Sequence, residues 1–121
     1  EKIFFQKDLS TDANYLTEIV REKVLENIHD EIPFNLKFTL DKAHKNRDKS
    51  VTVHITIYIK KLSYKSIIIG KKGENIKKIS ISARKDLEET LNKKFHLFLY
   101  LKTLKNNSII QNKGKNNDYL G

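Results

Sequence analysis

Residues 67–79 read IIIGKKGENIKKI, and the two glycines three apart decide how the chain is read. An apolar run precedes Gly70, and a helical pattern follows Gly73. Glycine tolerates positive φ and lets a foreign backbone come close, because no Cβ stands in the way. Amides that open a helix are unsatisfied donors at its positive end. Lys71 and Lys72 add two cations at the apex. A sugar–phosphate backbone suits this combination, and the flanking Ile68, Ile69 and Ile76 offer an apolar wall to unstacked bases. The spacing is not that of a nucleotide-binding P-loop, which needs G-x-x-x-x-G-K-[ST] directly after a strand.

Outward from this turn, the apolar pattern sorts into six elements. On the C-terminal side, Glu74 to Asn92 carries Ile76, Ile79, Ala83, Leu87 and Leu91 on one helical face. Phe95, Leu97, Leu99 and Leu101 then alternate as a strand. On the N-terminal side, Ser66 to Ile69 makes one short helical turn. Before it, Val51, Val53, Ile55, Ile57 and Ile59 alternate over nine residues. Phe34, Leu36, Phe38 and Leu40 alternate earlier still, and DKAHKNRDKS (41–50) reads as the hairpin loop between the two strands. A first helix is expected over 13–29, with Leu16, Ile19, Val20, Val24 and Ile28 as its stripe and Ser10, Thr11 or Asp12 as its cap. Its Glu18, Arg21, Glu22 and Lys23 are expected to face water, and Pro33 ends the helical region. A strand–helix–helix–strand crossover favours parallel pairing with a right-handed connection. The expected fold is therefore α+β: a three-stranded mixed sheet with three helices on one face.

Composition narrows the function. The 121 residues fit one domain, and 38% hydrophobic residues supply a modest core. Without cysteine there is neither disulfide nor thiolate metal site, which fits a reducing compartment. No apolar run approaches the roughly 20 residues of a membrane span. Charge is uneven: residues 1–50 hold nine Lys/Arg against ten Asp/Glu, and residues 51–121 hold fifteen against five. Between 60 and 78 there are seven lysines and one acid, Glu74. Such a cluster is the footprint of a polyanionic partner. Lys60, Lys61 and Lys65 lead into the turn, and Lys77 and Arg84 follow it, so these five join the candidate phosphate contacts. The four histidines lie on different elements without metal-ligand spacing. Asp86, Glu88 and Glu89 read as partners of Arg84, Lys85 and solvent. Thr52, Thr56 and Tyr58 read as solvent-facing sheet residues. No residue set supports catalysis, and no cofactor is implied.

The turn IIGKKGENIKKI resembles the GXXG core of the KH RNA-binding domain. The order helix–strand–strand–helix–helix–strand resembles its type II, bacterial form. KDLSTDANYLTEIVREKVLENIHDEIPF and LSYKSIIIGKKGENIKKISISARKDLEETLNKKFHLFLYLK, with the final YLG, resemble the C-terminal KH domain of the bacterial Era GTPases. This chain has Lys60-Lys61 and Tyr64 where that family usually reads Glu-Arg and Gln, and it lacks the usual tryptophan after the last strand. The resemblance implies a linker over 1–12 from a GTPase domain outside this chain, a type II KH domain over 13–104, and a polar, mostly irregular tail over 105–121. The absence of an initiator methionine suggests a fragment or a processed chain. The implied ligand is single-stranded RNA, the 3′ end of 16S ribosomal RNA during assembly of the small ribosomal subunit. The family's RNA-binding positions carry over to Gly70, Lys71, Lys72 and Gly73, with Ile69 and Ile76 beside them. The implied setting is the cytoplasm, with the periphery of the inner membrane as a second one. Two other readings remain open from the residues: a KH fold that docks on a protein, and a basic domain on anionic membrane.

Overall fold

The computed structural model describes residues 9–28, 36–105 and 108–109. Strand β2 (Val51–Ile59) is its centre. Its odd-numbered residues from Val51 to Ile59 are all fully buried, as strict alternation requires of a strand with one face on a core. On one side β1 (Leu36–Lys45) pairs with it antiparallel, from Leu36 opposite Ile59 to Lys45 opposite Val51. On the other side β3 (Phe95–Lys105) pairs with it parallel, from Val51 opposite Phe95 to Ile59 opposite Thr103. A two-residue β4 (Ser108–Ile109) turns back antiparallel on the end of β3.

The helices supply the other layer. Helix α1 (Leu9–Asn27) buries Leu16, Val20 and Val24. Helix α2 (Leu62–Ile69) buries Ile68, and α3 (Glu74–Leu91) buries Ile76, Ile79, Ala83 and Leu87. All of them meet the inward residues of β2 and β3 in one hydrophobic core. This is the expected α+β, type II KH arrangement of three helices on one face of a mixed sheet, with β4 as a short addition at its edge.

Several boundaries differ from the sequence reading, each for a local reason. Strand β1 runs on through Lys45, so the hairpin turn is only Asn46–Ser50. A β-bulge between Leu40 and Lys42 shifts the alternation by one, and Ala43 returns to the core side. Helix α1 is already helical at Leu9, so Ser10, Thr11 and Asp12 lie within it. Helix α2 starts at Leu62 rather than Ser66. Lys23 does not face water: its side chain is 11% exposed and its ammonium meets Asp86 of α3 at 2.9 Å. That hydrogen bond raises the Lys23 pKa above its ordinary value against the opposing effect of burial. Asp86 thus ties α1 to α3, and it also accepts the Thr90 hydroxyl at 3.2 Å along its own helix. Arg21 stands 4.6 Å over the Phe38 ring, a second link from α1, this time to the sheet. Thr56 is 2% exposed, not open to solvent, and gives its hydroxyl proton to Asp41 at the bulge. His29, Pro33, Phe34, residues 1–8 and the tail from 110 onward lie outside the described residues.

Candidate nucleic-acid interface

The site is built where α2 stops and α3 starts. At Gly70 φ is +77° and ψ 173°, a pair that only glycine adopts readily, so α2 cannot continue. Its N–H still donates to Ser66 O at 2.8 Å, and further along the turn Gly73 N–H donates to Gly70 O at 3.0 Å. Lys72 (φ 55°, ψ 27°) and Gly73 (φ 75°, ψ 16°) then occupy the left-handed region in succession.

The two glycines are needed for different reasons. A Cβ on Gly70 would lie 2.8–2.9 Å from the Asn75 side chain and backbone nitrogen. A Cβ on Gly73 would meet nothing within 4 Å. Asn75 is the residue the sequence reading missed. Its Nδ2 donates to Ile67 O at 3.1 Å, joining the last turn of α2 to the first turn of α3. An asparagine one position into a helix carries no periodic signal; only the close packing of Gly70 against it reveals the role.

No side chain caps the N-terminus of α3, and its first amide, Glu74 N–H, donates to Lys71 O within the turn. Lys71 and Lys72 are exposed at the apex, and Lys77 is exposed on the first turns of α3. The cations at the apex thus stand next to the positive end of α3. Ile69 is half-buried beside the turn, whereas Ile68 is fully buried and Ile76 3% exposed, both in the core, so of these three expected wall residues only Ile69 presents apolar surface there. Lys65 is half-buried along α2.

Two groups of candidates stand apart from the turn. Lys60 and Lys61 precede α2, whose eight residues separate them from Gly70 by about 12 Å of helix rise. The Lys61 ammonium sits 5.8 Å over the Tyr64 ring. Arg84 lies seven residues beyond Lys77, about 10 Å further along α3. Its guanidinium is held by Glu88 at 3.2 Å, and it lines a shallow depression with Asn92, Lys93 and Lys94. Glu88 also accepts the Phe95 N–H at 3.0 Å, and this bond more than any other holds its carboxyl below the ordinary range. Glu88 therefore anchors the entry to β3. Among the described residues no three His, Cys, Asp or Glu side chains gather into a metal-binding group.

Residues 31–108 match the family model described as "KH domain". The chain belongs to the KH domain family. Its curated relatives narrow the match within that family. This KH domain is 44% identical over 88 residues to the GTPase Era of Ehrlichia canis (strain Jake), a stretch that covers 73% of this chain and 30% of that protein. Against the GTPase Era of Bradyrhizobium diazoefficiens identity is 35% over 105 residues, covering 84% and 34%. Among solved structures it superposes on a variant of Aquifex aeolicus Era bound to GDP·AlF4− with a TM-score of 0.71 at 29% identity, over 76% of this chain and 31% of that one. An Era in complex with MgGDPNP and nucleotides 1506–1542 of 16S ribosomal RNA gives 0.70 at 29% identity, over 75% and 31%. The chain thus spans about a third of the length of the curated relatives it matches.

Proposed function

We propose that this KH domain is the RNA-binding part of an Era-like GTPase and holds the 3′ end of 16S ribosomal RNA during assembly of the small ribosomal subunit in the cytoplasm. The observation that carries the reading is the turn itself: exposed Lys71 and Lys72 beside an uncapped helix N-terminus, over a backbone kept bare of side chains at Gly70 and Gly73. A KH turn of this kind clamps the backbone of about four nucleotides, and bases lie against apolar surface beside it. Ile69 is that surface here, with Lys65 and Lys77 within reach of flanking phosphates. The Era structure that holds 16S ribosomal RNA supports the choice of ligand. In this reading the chain does no chemistry; nucleotide hydrolysis belongs to the GTPase domain of the parent protein.

A clamp on phosphates carries no sequence information, so discrimination rests on few base contacts. The 3′-terminal strand of 16S ribosomal RNA should outcompete a scrambled strand of equal length by roughly tenfold, about 1.4 kcal/mol. Extra lysines at positions 60 and 61 raise non-specific affinity and keep the margin small. A competition titration at physiological salt, with anionic liposomes as a parallel arm, decides it. Equal competition removes the ribosomal assignment and leaves RNA binding. Preference for liposomes over either strand replaces RNA with a membrane surface.

A further inference from the structure

The helices cover one face of the sheet, and the opposite face has a composition of its own. Core packing of Leu36, Phe38, Leu40 and Ala43 on β1, and burial of Leu101 and Thr103 on β3, turn the alternate residues outward. The register then sets those residues in rows. Tyr58 stands between Lys37 and Lys102, and His54 stands between Lys42 and Phe98. Not one outward position from Lys37 to His44, Thr52 to Tyr58 or His96 to Lys102 is aliphatic. The acid at the bulge, Asp41, accepts hydrogen bonds from Thr39 and Thr56. The His54 ring stacks on Phe98 at 4.9 Å and 17°, lies 5.8 Å and 14° from Tyr100, and shares a 2.8 Å hydrogen bond with the Tyr100 hydroxyl.

We propose that this face of the sheet, which no described helix covers, is a second contact surface for single-stranded RNA, separate from the glycine turn. Leu104, at the end of the β3 row, is the one aliphatic side chain on the outward rows of the described strands β1 to β3, so this face offers little aliphatic surface to a docking protein. It offers instead parallel aromatic rings, which further flat rings can extend, and lysines beside them, which neutralise phosphates. Burial first, then the charges of Lys42 and His44, lower the His54 pKa, against Asp41. The surface accommodates a strand longer than the roughly four nucleotides a KH turn holds.

The test compares oligouridylates of about four and about twelve nucleotides on the 121-residue chain. A Lys37→Gln/Lys42→Gln/Lys102→Gln variant should bind the longer strand about tenfold more weakly, and the slope of log affinity against log salt should fall by about 2. Its affinity for the shorter strand should stay unchanged. In a Lys71→Asp/Lys72→Asp background, which removes the turn, residual binding of the longer strand should remain and should vanish when the three glutamines are added. The chain has five tyrosines and no tryptophan, so quenching of tyrosine emission in that background reports stacking on Tyr58 and Tyr100. Parent-like affinity of the triple variant for the longer strand, or no quenching, overturns the proposal whether or not the turn binds RNA.

Discussion

Two tight turns in this molecule each force a lysine into the left-handed region, Lys49 at φ 74° and Lys72 at φ 55°, yet they treat their polar groups in opposite ways. In the β1–β2 turn Asn46, Asp48 and Ser50 bond to one another, while Arg47 and Lys49 are exposed. Asn46 Nδ2 donates to the hydroxyls of Ser50 and Thr52, both at 2.9 Å. Asp48 accepts the Ser50 hydroxyl at 2.6 Å and the Ser50 N–H at 3.0 Å, which together hold its carboxyl below the ordinary value. The Gly70–Gly73 turn is closed by backbone bonds and by Asn75 from outside, and its own lysines stay exposed at the apex. A turn whose side chains satisfy its own backbone is a connector. The glycine turn has no such side-chain network of its own, which fits the partner contact proposed for it.

Charge reversal should erase this contrast most completely. Lys71→Asp with Lys72→Asp should lower affinity for a short RNA strand more than 100-fold, roughly 3 kcal/mol, with an unchanged circular dichroism spectrum. If the pair meets three phosphates with its flanking amides, the salt slope of the parent is about −2. Unchanged affinity in the double variant would sink the assignment of the turn.

The glycines separate next. Gly70→Ala should destabilise the domain by about 2–3 kcal/mol, because the methyl group collides with Asn75 and the backbone is strained as well. Gly73→Ala meets open space and should cost about 1 kcal/mol for its positive φ alone. Urea titrations of both variants measure the difference, and equal midpoints would show that the Asn75 contact relaxes freely.

On the connector side, Asn46→Ala removes two hydrogen bonds and should cost about 1–2 kcal/mol with RNA affinity unchanged. The smallest effects distinguish the two turns most finely. Lys49→Gly and Lys72→Gly both relieve a left-handed side chain and should each stabilise by about 0.5 kcal/mol. Only Lys72→Gly should weaken RNA binding. A matched loss from Lys49→Gly would mean that the hairpin turn also meets the ligand.

What was legible in the sequence followed from strict period. Val51 to Ile59 and Phe95 to Leu101 alternate without interruption, and the structure buries one face of each. The stripe of α3 is equally regular, and the glycine spacing marked the turn. Strand β1 defeated the same reasoning because one bulge reverses the phase, and Lys42, His44 and Lys45 then look like loop. The start of α2 was hidden because Leu62 is 67% exposed and contributes to no apolar stripe. Asn75 on Ile67, Lys23 on Asp86 and Glu88 on Phe95 are invisible for another reason: each depends on how two elements approach, which no local pattern encodes.

Parallel pairing of β2 with β3 imposes an order on assembly. Strands β1 and β2 meet across a five-residue turn, a contact that costs little loop-closure entropy. Val51 cannot meet Phe95 until α2, the glycine turn and α3 have all been drawn into the crossover. High sequence separation makes that step the slow one. The amides of β1 and β2 should then gain protection from hydrogen exchange before those of β3 during refolding, and simultaneous protection would contradict this order. The glycine turn sits inside the late segment, so under the proposed function the capacity to grip RNA arrives last, and only a chain that has finished folding possesses it.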